Sequence, residues 1–137
     1  MRDQDIADIL GKVQTIALVG ASEKTDRPSY QVMKYLLNQG YNVIPVSPKL
    51  AGETLLNQLV VSQLSDIKQP IDMVEVFRNA EAAYGVAEEA IAIGAKVLWL
   101  QKGIFNQAAK LLAEQAGLAV VMDRCPKIEI PRLGIEK

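Results

Sequence analysis

Val19-Gly20-Ala21-Ser22-Glu23-Lys24-Thr25-Asp26-Arg27-Pro28-Ser29-Tyr30, preceded by the apolar run Thr15-Ile16-Ala17-Leu18, is the stretch on which the fold turns. A short apolar run, a loop of small residues and then a helical pattern entered through a proline read as the opening of a βα unit. The loop sits where nucleotide-binding folds keep a glycine-rich phosphate loop, yet it holds one glycine and two basic residues, Lys24 and Arg27. A helix N-terminus offers unpaired N–H groups and the positive end of its dipole, and Gly20, Ala21 and Ser22 are small enough to admit an anion there. Ser22 adds a hydroxyl, and Arg27 adds a planar fork suited to phosphate. Asp26 or Ser29 is the expected N-cap, with Pro28 in the first turn. A plain turn into a helix would read the same way, so the rest of the chain must decide.

Working outward, apolar runs of four to six residues alternate with longer stretches of helical period. Strands are expected at Thr15–Val19, Tyr41–Val46, Met73–Phe77, Lys96–Leu100 and Ala119–Met122. Helices are expected at Ser29–Gln39, Ala80–Ile93 and Asn106–Gln115, each followed by a glycine that suits a C-cap: Gly40, Gly94 and Gly117. Gly52–Pro70 is ambiguous, since "LLNQLVV" fits a short edge strand or a helix. The strand runs lack the apolar/polar alternation of a half-exposed sheet, so both faces should be covered. With right-handed crossovers this predicts a three-layer Rossmann-like α/β domain, a doubly wound parallel sheet of five or six strands over residues 1–137. Such sheets bind ligands at the carboxyl ends of their strands, where strand order reverses.

Composition narrows the chemistry. The chain has no histidine, which removes the ordinary general base near neutral pH, imidazole metal ligands and the Ser-His-Asp and Cys-His constellations. One cysteine, Cys125, excludes an internal disulfide framework and any dithiol redox centre. A net charge of −1 with scattered Lys and Arg argues against a nucleic-acid partner. No run approaches the roughly 20 apolar residues that cross a bilayer, and "MRDQDIADIL" is acidic and amphipathic, so no membrane association and a cytoplasmic location are expected.

Every expected strand nevertheless delivers a cation at its carboxyl end: Lys24 and Arg27, then Lys49, Arg78, Lys102 and Arg124. Glu23, Asp26, Glu53 and Asp123 lie nearby, so any one of these cations reads equally well as solvated loop charge. Their recurrence along one edge suits a ligand with several negative charges. A dinucleotide-binding loop would read G-x-G-x-x-G and be followed, about 20 residues on, by an acid for the ribose hydroxyls. This chain departs on both counts, and "VIPVSPKLAG" places Ser47 and Lys49 where the acid would stand. A cation there favours a ribose carrying its own phosphate, as in NADP or coenzyme A.

The segments "TIALVGAS", "DRPSY", "GYNVIPVSPKLAG", "VFRN", "EEAIAIGAKVLWLQKGI" and "AGLAVVMDRCP" together resemble the single-domain CoA-binding protein family, including the small YccU-type bacterial proteins, from about Ile6 to Leu133. The same fold forms the CoA-binding domain of the succinyl-CoA synthetase alpha subunit. The resemblance implies a coenzyme A or acyl-CoA ligand lying across the carboxyl edge. Gly20, Ala21 and Ser22 would line the pyrophosphate; Val46, Pro48 and Lys49 would flank the adenosine and its 3′-phosphate; Phe77 and Arg78 would bound the pantetheine side. Arg27, in "DRPSY", would be a phosphate ligand by its chemistry, with Lys102 and Arg124 as further candidates. The synthetases use an active-site histidine beyond this domain, and this chain has none, so non-catalytic binding is expected. The alternatives are an NADP(H)-binding oxidoreductase-like module, an accessory subunit of an acyl-CoA synthetase, or an interaction module whose C-terminal arm "CPKIEIPRLGIEK" packs on the domain or on a second copy. Cys125, just past the last strand, reads as a buried turn cysteine or as the partner of the coenzyme thiol in a mixed disulfide. Trp99 reads as core.

Overall fold

The computed structural model describes all residues from Met1 to Lys137. Its elements are α1 (Asp3–Lys12), β1 (Thr15–Val19), α2 (Pro28–Asn38), β2 (Asn42–Val46), β3 (Thr54–Leu55), β4 (Gln58–Leu59), β5 (Met73–Val76), α3 (Ala83–Ala92), β6 (Val97–Leu100), α4 (Gln107–Gln115), β7 (Ala119–Met122) and α5 (Pro126–Arg132). Five strands form one parallel sheet in the order β2-β1-β5-β6-β7. The five expected strands are these five, with ends trimmed by a residue: Tyr41, Phe77 and Lys96 fall just outside. The chain moves outward from β1 to β2 and then returns past β1 to β5. Strand order therefore reverses between β1 and β5, at the centre of the sheet.

Each strand sends alternate residues to opposite faces, so the sheet divides two apolar cores. Ala17, Val19, Val74, Val76, Leu98, Leu100 and Val120 meet the small side chains Ala83, Ala87, Ala90, Ala109 and Ala113 of α3 and α4. Alanine on the helix faces lets these two helices lie close on the sheet. Ile16, Leu18, Met73, Trp99 and Val121 pack on the other face with Ile6, Leu10, Val32, Met33, Leu36 and Ile130 from α1, α2 and α5. Trp99 is fully buried, and its indole N–H donates to the Arg124 carbonyl at 2.7 Å. It is core, as expected. Gly40, Gly94 and Gly117 all follow their helices with positive φ, which suits a chain that must reverse into a strand.

The ambiguous segment is neither a single strand nor a helix. It is a small antiparallel hairpin, β3 with β4, joined by Leu56 and Asn57 at φ 49° and 65°, then a 3₁₀ turn at Leu64–Asp66. Two consecutive positive φ values match a type I′ turn, which usually advertises itself with Asn-Gly; Leu-Asn hid it. The C-terminal arm is the short helix α5 and a tail that packs on its own domain. Arg132 bonds Asp3 at 3.0 Å, and the Lys137 amide donates to Gln39 Oε1 at 2.8 Å. No helix is long and apolar enough to cross a membrane.

Candidate functional site at the carboxyl edge

Gly20 stands where strand order reverses, and its backbone is closely confined. With φ at +92°, a Cβ on this residue would lie 2.4 Å from the Phe77 carbonyl oxygen and 2.9 Å from its carbon. Glycine is thus required by the approach of the β1 exit to the β5 exit. The amides of Gly20 and Ala21 both donate to the Val46 carbonyl, at 3.1 and 3.2 Å. These two amides fasten β1 to the end of β2 and are not free donors. The Ala21 side chain packs toward the core beneath α2 and borders neither cavity of this edge. Free donors begin one residue later, because the amides of Ser22 and Glu23 donate to no protein group. The Ser22 hydroxyl accepts from the Lys24 amide at 3.1 Å.

The N-cap of α2 is Arg27, with Pro28 at the first helical position, rather than Asp26 or Ser29. Arg27 offers no cap hydrogen bond, so the amides of Ser29 and Tyr30 in the first turn are left without a protein acceptor. The eleven-residue helix α2 therefore presents an uncapped positive end. A side-chain cap of the ordinary kind would have occupied those donors.

Two cavities adjoin at this edge and share Gly20 and Arg78 as a common wall. The first, about 530 Å³, is bordered by Val46, Ser47, Pro48 and Lys49 after β2, by Ser62 and Gln63, and by Val86 and Glu89 of α3. The second, about 500 Å³, is bordered by Ser22, Arg27, Pro28 and Ser29 on the α2 side and by Phe77, Gln101, Lys102 and Ile104 on the β5–β6 side. Eight of the nine expected site residues line one cavity or both, Ala21 being the exception.

Electrostatics separate the cations into two groups. Arg27, Arg78 and Lys102 border the second cavity and Lys49 the first, and none of the four forms an ion pair. Arg124 is committed elsewhere: its guanidinium bonds Glu129 at 2.8 Å, and Glu129 is bound again by Arg132 at 2.9 Å. Those two arginines, Arg132 foremost, hold the Glu129 carboxyl below the usual glutamate range. Lys24 is exposed and borders neither cavity. The expected row of six cations therefore reduces to four that converge. Cys125 is buried at the start of α5 and lines neither cavity, as the turn-cysteine reading expects.

Two polar residues here went unnoticed in the sequence. Gln101 is buried at the floor of the second cavity, and Glu75, one step deeper on the same face, is wholly buried. Burial above all, with the Cys125 thiol adding to it, pushes the Glu75 carboxyl well above the ordinary glutamate value. The only signal was an acid inside the apolar run "MVEVF".

The architecture is that of a Rossmann-like α/β domain with a cleft at the carboxyl edge of its sheet, and comparison with known proteins gives the family. Residues 14–131 match the model of the CoA binding domain, and the chain belongs to that family. An uncharacterised Bacillus subtilis protein, YneT, is 40% identical over 124 residues, covering 90% of each chain. A hypothetical protein of solved structure from Pyrococcus horikoshii is 41% identical, with a TM-score of 0.92 over 97% of this chain and 92% of that one. The fold also recurs in a dinucleotide-forming acetyl-coenzyme A synthetase of Candidatus Korarchaeum cryptofilum, at 21% identity and TM-score 0.70, over 80% of this chain and 26% of that protein.

Proposed function

We propose that this protein binds coenzyme A or an acyl-CoA across the carboxyl edge of its sheet and does not itself transform it. The observation that carries the reading is the meeting of four unpaired cations, Arg27, Lys49, Arg78 and Lys102, in two adjoining cavities at the point where strand order reverses. Membership of the CoA binding domain family supports this ligand class. The adenosine and its 3′-phosphate take the first cavity, where Lys49 replaces the acid that would hold an unmodified ribose. The pyrophosphate lies over the shared wall, between Arg78 and the free amides of Ser22, Ser29 and Tyr30. The pantetheine arm enters the second cavity past Phe77. Binding without turnover is supported by the cavity linings themselves, in which no hydroxyl donates to a carboxylate and no imidazole is at hand as a base.

Isothermal titration with CoA, acetyl-CoA, dephospho-CoA and NADPH tests the assignment. CoA and acetyl-CoA should bind alike, and dephospho-CoA should bind more weakly by roughly ten- to a hundredfold, the worth of one charge-assisted contact. Equal affinity for CoA and dephospho-CoA would remove Lys49 from its role. Tighter binding of NADPH than of CoA would replace the proposal with a reading in which nicotinamide dinucleotide is the ligand.

A further inference from the structure

Three side-chain atoms in the molecule are buried without a hydrogen-bond partner: Glu75 Oε1, Glu75 Oε2 and Gln101 Oε1. All are oxygens. A carboxylate and an amide carbonyl can only accept, so an ionised Glu75 could never satisfy its neighbour. The two residues are close by construction of the sheet. Glu75 pairs in register with Trp99, which places Gln101, two residues further along, on the same face and diagonally above it. Parallel strands about 4.8 Å apart with a rise of about 3.3 Å per residue put such diagonal neighbours about 8 Å apart at Cα, within reach of two long side chains. Gln101 lines the second cavity with its Oε1 turned inward and buried, which leaves the Nε2 end of the amide on the cavity side.

The Val76 backbone amide, the smallest influence on the carboxyl and the only one that lowers it, is outweighed by burial, and no side chain offers Glu75 a donor. Leu18 of β1 and Trp99 of β6 flank it in register, and Ile6, Leu10, Met33 and Leu36 of α1 and α2 fill the same core. Cys125, at the start of α5, is the one titratable group acting on it, and the charged residues beside it, Arg124 and Glu129, are bonded to each other.

We propose that Glu75 is held as a neutral carboxylic acid whose O–H donates to Gln101 Oε1, and that this bond fixes Gln101 with its Nε2 donors facing the second cavity. Glu75 is then a positioning residue and Gln101 the group that meets the ligand. The donors select a carbonyl oxygen, such as an amide or thioester carbonyl, where the surrounding cations select phosphate. Ionisation of Glu75 removes the donor and sets a negative charge against an oxygen. The Gln101 amide then turns, Nε2 goes inward, and the cavity meets an acceptor in place of a donor. Burial, which raises the Glu75 carboxyl well above the ordinary glutamate value, delays this reversal as pH rises. Only the ligand contact rests on the coenzyme reading; the acid–amide bond does not.

The test has two arms. Infrared difference spectra of the unliganded protein at neutral pH should show a protonated-carboxyl C=O stretch that is absent in Glu75→Gln and shifted in Gln101→Met. No such band in the wild type overturns the proposal. Calorimetry then compares CoA with adenosine 3′,5′-bisphosphate, which lacks the pantetheine arm. Glu75→Leu and Gln101→Met should each weaken CoA about three- to tenfold, the loss of one neutral hydrogen bond, and leave the bisphosphate unchanged. Glu75→Gln retains a donor for Gln101, so it should bind CoA as the wild type does and lose the weakening that the wild type shows as rising pH ionises Glu75. Equal weakening of both ligands, or no weakening in variants whose melting curves show them folded, overturns it. If the wild type binds neither compound, the coenzyme reading falls while the infrared arm still decides the acid–amide bond.

Discussion

Gly20→Ala should be far more damaging than its small size suggests, and a second glycine isolates the reason. Gly117 has φ +94° against +92° at Gly20, so both positions impose nearly the same backbone penalty on alanine. That penalty is about 1–2 kcal/mol for an L residue held in left-handed conformation. At Gly117 nothing lies within 4 Å of the added methyl, whereas at Gly20 it would sit 2.4 Å from the Phe77 carbonyl oxygen. That atom is backbone and is fixed, since the Phe77 amide donates to the Val19 carbonyl at 2.8 Å. Relief demands a shift of the β1 or β5 exit, an overpacking cost of about 1–3 kcal/mol more. Summed, Gly20→Ala should lose about 2–5 kcal/mol and Gly117→Ala about 1–2. At about 4 °C per kcal/mol for a domain of this size, the gap between the two melting temperatures should be about 4–12 °C. Differential scanning calorimetry of both variants against the wild type measures it. Equal losses would show that the approach of the two strand exits is not what demands glycine here.

The remaining expectations rest on the same geometry. Arg27→Ala should weaken CoA by about 1.5–3 kcal/mol in calorimetry, and Arg124→Ala, whose guanidinium is bonded to Glu129, should leave affinity within about twofold; a larger loss at Arg124 than at Arg27 would invert the assignment. Glu75 has its folded pKa raised above the unfolded value, so its contribution is full below about pH 5 and is lost as pH rises toward the folded value. Denaturant unfolding of Glu75→Gln should accordingly lose less stability than the wild type as pH rises from the ordinary glutamate value toward the folded one, and parallel profiles would contradict the burial argument. Glu129 behaves with the opposite sign, because its carboxyl is held low by Arg132 and Arg124. Its contribution is present above the ordinary glutamate value and lost as pH falls through the folded one, so Glu129→Gln should flatten the acid limb of the stability profile.

The sheet was legible because its strands are short apolar runs closed by glycine-capped helices, a rhythm that needs no tertiary information. "LLNQ" was not, since a type I′ turn without glycine carries no local advertisement. The cavity residues were found by position, as the side chains just past the carboxyl end of each strand. Yet position alone cannot tell Lys49, which stands free, from Arg124, which a carboxylate five residues on captures through the turn of α5. Sequence shows Gly20 and Ala21 as small residues, but only the register of β1 with β2 shows that the Val46 carbonyl takes both amides. Glu75 and Gln101 escaped because burial of a polar side chain is a property of the packed sheet. Nothing local distinguishes an acid at the end of a strand from one sealed in its middle.

The double bond onto the Val46 carbonyl has a mechanical meaning. It welds the loop leading to Arg27 to the end of β2, three residues before Lys49. The two sides of the cleft cannot drift apart without breaking it, and the contact of Gly20 with Phe77 ties in the third strand as well. A ligand would therefore find its anchoring points already spaced, and adaptation to different guests would fall to the side chains that stand beyond this brace.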